Sequence, residues 1–144
     1  MLLPDVNVLV YAFRSDMTEH ALHHAFLQGL LDGDEAFGLS AQVLSGFLRV
    51  VTHPRIFATP DPIDEAMAFT TILRESDRAV AVEPGPRHWE IFERLCRTAN
   101  ARGNLVPDAY HAALAIESGC EWVTTDRDYA RFPGLRWRHL ANPA

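Results

Sequence analysis

Residues 103–129 read GNLVPDAYHAALAIESGCEWVTTDRDY. AYHAALAIESG has the pattern of a helix closed by Gly119, a residue suited to the left-handed turn that ends a helix. EWVTT is a short strand of β-branched and aromatic residues. Asp108 sits at the start of the helix and Asp126 just past the strand. A helix feeding a strand in this way is half of a crossover unit, and such units build parallel sheets.

The same alternation extends outward. MLLPD reads as a first strand that ends on Asp5, and VNVLVYAF continues as a helix. Thr18 is the expected cap of a second helix, EHALHHAFLQGLLDG, stopped by Gly33. AFGLS is a short buried strand, and Ser40 caps AQVLSGFLRVVT, which ends before Pro54. Asp61-Pro62 starts IDEAMAFTTILRES. AVAVE is a strand, Pro86 opens the helix RHWEIFERLCRTAN with Gly103 closing it, and LRWRHL reads as a last edge strand. The order predicts an α/β fold of three layers, α/β/α, with a mostly parallel sheet of four to five strands and helices on both faces. The length, 144 residues, fits a single domain over 1–144.

No apolar run is long enough for a membrane span, and MLLPD lacks the basic region of a signal peptide, so the expected location is the cytoplasm. Cys96 and Cys120 sit in apolar patterns without metal-ligand spacing and read as core. The net charge of −6 argues against nucleic-acid binding by bulk positive charge. All 13 basic residues are arginine.

Asp5, Asp108 and Asp126 come from distant parts of the chain and fall at one end of one sheet. Ligands of such sheets bind there, where the strand order reverses. Each also has a plainer reading: Asp108 as a helix cap, Asp126 and Asp128 as a turn. Asp5 resists one, because a carboxylate inside an apolar stretch is costly without compensation, and Asn7 is placed to support it. Converging carboxylates suit magnesium, with manganese as a substitute, and a bound metal favours attack of water on phosphorus.

The segments DVNVLVYA, LSAQVLSGFLRVVTHPRIF, GNLVPDAYHAALAIESG and TTDRDYARFPGL resemble the PIN domain, in particular the VapC toxins of bacterial toxin–antitoxin pairs. The resemblance covers nearly the whole chain. It implies a metal-dependent endoribonuclease that acts on RNA, a cognate antitoxin protein that blocks the site, and a homodimer. The family's aspartates match Asp5, Asp108 and Asp126, with Asp128 close behind as a less secure ligand. Asn7, Ser40, Asn104 and Thr125 are expected to support them. One position departs from the family. A glutamate several residues past the serine, here Ser40, has its place at Gly46, and no acidic residue occurs between Glu35 and Asp61. Glycine inside a helix costs roughly 1 kcal/mol relative to alanine, so Gly46 reads as making room for substrate or for a neighbouring backbone. Asp128 or water then stands in for the missing carboxylate. The gap leaves a second reading open, a PIN fold without catalysis that binds RNA or a partner.

Arg49, one turn beyond Gly46, is a candidate phosphate ligand or an ordinary surface arginine. His111, three residues after Asp108, is more readily a packed histidine than a proton shuttle. His20, His23 and His24 read as a solvated helix face rather than a zinc set. The tail RDYARFPGLRWRHL suits either RNA contact or an edge strand. Phosphatases and receiver domains that use an aspartate after the first strand also need a lysine, and this chain has none.

Overall fold

The computed structural model describes residues 1–141; the last three residues of the expected 1–144 domain lie outside them. Five strands form one sheet in the order β3-β2-β1-β4-β5, and every pairing is parallel. They are β1 (Leu2–Pro4), β2 (Phe37–Leu39), β3 (Ala79–Ala81), β4 (Glu121–Val123) and β5 (Trp137–Arg138). The helices are α1 (Val6–Phe13), α2 (His20–Asp32), α3 (Ala41–Val51), α4 (Ile63–Arg74), α5 (His88–Thr98) and α6 (Leu105–Ser118), with a 3₁₀ turn at Arg127–Arg131. The architecture is the expected three-layer α/β/α. Helix α1 packs on α2 and α3, α3 on α4, and α5 on α6.

The chain leaves β1 for β2 and β3 on one side, then crosses to β4 on the other, so strand order reverses beside β1. The β1–β4 register runs through three pairs, Leu2 with Glu121 to Pro4 with Val123, and Asp5 N–H extends it by donating to Val123 O at 2.8 Å. Toward β2 the register is a single pair, Leu2 with Phe37. Pro4 has no N–H to give and accounts for the early divergence on that side. The core packs Leu3, Phe37 and Trp122 of the sheet against Leu9, Phe47, Leu95 and Leu114 of the helices, all essentially inaccessible to water.

Several expected boundaries move. Helix α6 starts at Leu105, not beyond Asp108, with Asn104 at the cap position, so Asp108 lies inside the first turn and is not the N-cap. Pro107 is compatible with this, because first-turn N–H groups have no partner within the helix. Helix α2 is preceded by Glu19 rather than capped by Thr18, and no side chain caps it. Helix α5 ends at Thr98 with Ala99 as its C-cap, and Gly103, at φ +52°, belongs to the following turn. Ser40 caps α3 as expected, accepting from Val43 N–H at 3.4 Å, and Gly119 ends α6 at φ +71°.

Gly46 makes room for a side chain, not for a backbone. A Cβ built there would lie 2.9 Å from Cγ2 of Val6, the first residue of α1. Valine is stiff at χ1 in a helix, so it yields little. Alanine at an unconstrained helix position gains about 1 kcal/mol over glycine. Gly46→Ala is instead expected to lower the thermal midpoint, and adding Val6→Ala to restore it. Melts of both variants decide this, and a Gly46→Ala protein more stable than the parent would show that the contact imposes nothing.

Candidate active site

Asp5 leaves the end of β1 and caps α1. Its Oδ1 accepts Val6 N–H at 2.6 Å, and its Oδ2 accepts the Thr124 hydroxyl at 2.7 Å and the Asn7 amide at 3.2 Å. The carboxylate is 6 % exposed. Burial pushes its pKa up to about 7, the neighbouring charges of Asp108 and Asp126 add to this, and the Thr124 and Val6 hydrogen bonds oppose it.

Asp108 projects from the first turn of α6 and accepts the Tyr129 hydroxyl at 3.2 Å. Its pKa rises to about 6, chiefly through burial, then through the charge of Asp126. Tyr129 is buried at 1 % exposure, and burial followed by the nearby aspartates drives its own pKa up, so the phenol stays protonated and donates. Asp126 follows β4 and accepts Asp128 N–H at 2.9 Å, as the turn reading expects, and it also lines the cleft.

These three aspartates line one cleft of about 620 Å³ together with Asn7, Asn104, Arg49 and His111. Val10, Tyr11, Met17, Ile56 and Phe57 form an apolar wall of the same cleft. Arg49 is exposed, and its guanidinium has no hydrogen bond or ion pair among the described residues. His111 is buried against Trp122, ring centroids 5.3 Å apart, with Nδ1 unpartnered. Burial lowers its pKa to about 4, so it is neutral at pH 7.

Three expected residues fall elsewhere. Asp128 is exposed and outside the cleft lining, though its charge still raises Asp108. Ser40 caps α3 and does not reach the cleft. Thr125 supports the site only through its N–H, which donates to Asn7 Oδ1 at 3.2 Å. The hydroxyl that holds Asp5 belongs to Thr124, which the sequence reading passed over and which is fully buried. Thr124 Oγ1 also accepts Asp126 N–H at 3.0 Å, tying two of the aspartates to one atom. Tyr129 was passed over as well; its signal was an aromatic three residues past Asp126 in a segment otherwise read as surface.

Among the described residues no group of three or more His, Cys, Asp or Glu is arranged as a ready metal cage. The donor set nonetheless fits a hard divalent cation. The carboxylate oxygens of Asp5 and Asp108 repel each other and Asp126, and the nearest free arginine in the cleft neutralises none of them. Magnesium binds through one or two carboxylates and retains water, so a closed cage is not required.

The PIN domain family model matches residues 2–135. The chain is 45% identical over 139 residues to a VapC ribonuclease of Mycobacterium bovis, covering 96% of this chain and 95% of that protein. It is 39% identical over 143 residues to the VapC25 ribonuclease of Mycobacterium tuberculosis, covering 99% of each. Among solved structures it resembles VapBC2 of Rickettsia felis bound to a promoter DNA fragment, with a TM-score of 0.71, 17% identity and coverage of 96% and 97%. It also resembles VapC20 of Mycobacterium tuberculosis, described as a sarcin–ricin-loop-cleaving toxin, with a TM-score of 0.64, 16% identity and coverage of 94% and 99%.

The carboxyl of Asp5 moves from its ordinary 3.8 to about 7 on folding. Between those values the folded protein keeps a proton that the unfolded chain has released, so stability falls as pH rises through the window and the cost is complete above pH 7. Asp5→Asn removes that pH-dependent cost, although it also gives up one of the two acceptor oxygens at every pH. In chelator, the stability of the variant relative to the parent is therefore expected to rise by on the order of 2 kcal/mol between pH 4 and pH 8, a relative Tm gain of roughly 4–8 °C. The gain shrinks toward pH 4. His111 contributes the opposite slope between 6.5 and about 4 in both proteins and cancels in the comparison. A stability difference between the two proteins that does not change with pH would contradict a strained carboxylate.

Proposed function

The chain belongs to the PIN-domain family, and within it to the VapC proteins; on that premise we propose that it is a magnesium-dependent endoribonuclease, the toxin of a toxin–antitoxin pair. The observation that carries the reading is the mutually repelling trio Asp5, Asp108 and Asp126, Asp5 buried and the other two half-buried, where strand order reverses. Asp5 and Asp108, with Asp126, hold the metal, and manganese is a suitable substitute. When bound, magnesium supplies a more acidic water and positive charge beside the scissile phosphate.

The chain's own groups do the rest. Thr124 and the Val6 N–H fix both oxygens of Asp5 before substrate arrives, and Tyr129 fixes one oxygen of Asp108. Arg49, free of internal partners, is the phosphate ligand. Asn104, whose side chain caps nothing, offers a further donor to the RNA backbone. His111 stays neutral and packs under the cleft, which favours the packed-histidine reading over a proton shuttle. A separate antitoxin chain, a homodimeric toxin and a cytoplasmic location complete the proposal. Among the described residues no helix is long and apolar enough to cross a membrane.

The second reading, a PIN fold that binds RNA or a partner without cutting, draws on Gly46. Val6 occupies the space beside that position, so α3 sends no carboxylate toward Asp5. Purified protein is expected to cut RNA internally with magnesium and to stop with EDTA. Asp5→Asn is expected to lower the rate at least 100-fold. Magnesium is expected to raise the Tm of the parent but not of Asp5→Asn. If the parent binds RNA without cutting while Gly46→Glu/Val6→Ala cuts, the binding reading replaces the catalytic one.

A further inference from the structure

We infer that the apolar half of the cleft is a nucleobase slot, with Phe57 and Tyr11 as its aromatic surfaces, which takes one unpaired base of the RNA beside the phosphate held at the aspartates. The inference rests on the ribonuclease reading and adds a site to it.

Phe57 lies in the segment between α3 and α4, which has no regular structure of its own, yet the segment is pinned. The Arg14 guanidinium stacks 3.7 Å from the Phe57 ring centroid and so covers one face. Arg14 is itself 8 % exposed and held on every side. It donates to both oxygens of Asp16 at 3.1 and 2.8 Å, to Asp61 at 2.8 Å and to Thr59 O at 3.1 Å. Ile56 and Phe57 N–H groups both donate to His53 O at 3.1 Å, and Asp61 N–H returns to Val51 O at 2.8 Å. The ring is thereby fixed before any ligand arrives, and it remains part of the cleft lining.

Packing against the core explains why Phe57 is half-buried. It does not explain the polar groups around the slot. The Tyr11 hydroxyl, the Asn104 amide and the Arg49 guanidinium make no hydrogen bond among the described residues, and His111 Nδ1 is buried without one. An apolar helix laid in the cleft would bury some of these without partners, at a cost. A nucleotide offers what the cleft lacks: a flat face for the aromatics, base-edge donors and acceptors, and a phosphate for Arg49. A base in a duplex presents its face to its neighbours and its edge to its pair, so the slot selects an unpaired or extruded nucleotide.

The test uses RNA hexamers carrying 2-aminopurine at each position in turn, titrated with protein in calcium. One position is expected to show a fluorescence change with the parent. Phe57→Ala is expected to weaken binding roughly 10-fold, the usual scale for losing one base–aromatic stack. Phe57→Trp should retain binding, and Phe57→Leu, which keeps the apolar volume, should lose it; thermal melts confirm that each variant folds. An abasic nucleotide at the responsive position should weaken the parent by at least that factor and should cost Phe57→Ala clearly less than it costs the parent. The slot is overturned if the two losses multiply, if Leu serves as well as Phe, or if the parent binds no hexamer. Cleavage of RNA by the parent in magnesium, measured separately, reports on the ribonuclease reading alone. Unchanged hexamer binding by Phe57→Ala, with loss of a co-purifying protein partner, would make the apolar half a protein groove instead.

Discussion

A carboxylate buried at the point where the sheet changes direction sets the terms for the rest of the molecule. Asp5 is fixed by geometry, because β1 must end where α1 begins, and its oxygens meet the Val6 N–H and the Thr124 hydroxyl. Those two bonds stabilise the charged form, but burial and two further aspartates outweigh them and leave the group with a pKa of about 7. A fold that only needed to cap α1 would use asparagine or serine there and avoid the cost. Retaining the acid, and placing Asp108 and Asp126 beside it, stores a demand for positive charge. The protein does not satisfy that demand internally, since the free arginine of the cleft pairs with none of the three. Strain of this kind is expected at a ligand-binding cleft rather than at a purely structural helix cap.

The net charge of −6 fits the same picture. On the proposed ribonuclease reading, attraction to RNA would be local, through a cation at the aspartates and Arg49 rather than a basic face, and so far more sensitive to divalent ions than to the bulk charge of the surface.

How far the sequence could be read follows from which features are local. The parallel order of strands, the capping Ser40, the stop at Gly119 and the placing of Asp5 and Asp126 at strand ends all depend on short-range patterns, and they hold. The start of α6 was misplaced because Pro107 looks like a loop residue until its first-turn position is known. Thr124 was missed in favour of Thr125 because four of the strands have only three residues, and a run that short shows no alternation from which to tell the inward side. Tyr129 reaches Asp108 across 21 residues of sequence, a contact that exists only once β4 lies against α6. Gly46 read correctly as a space-making residue. What fills the space, the Val6 side chain, depends on how α1 and α3 pack, and no pattern in either helix reveals that.

The two halves of the cleft share α1 but are held by different side chains, and this bears on how such a site can change. Thr124 and Tyr129 hold the acid end from β4 and the turn after it. Arg14, Asp61 and the His53 carbonyl hold the apolar wall from α1 and the segment between α3 and α4. No hydrogen bond joins one set to the other among the described residues. Substitutions at Ile56 or Phe57 can therefore reshape the apolar wall without a direct effect on the aspartates, whereas a change at Thr124 shifts two aspartates together because both bond to its one hydroxyl oxygen. On the proposed reading, chemistry would sit at the rigid end of the sheet while the loop carrying Phe57 supplies part of the recognition surface, a division that lets one scaffold serve different targets.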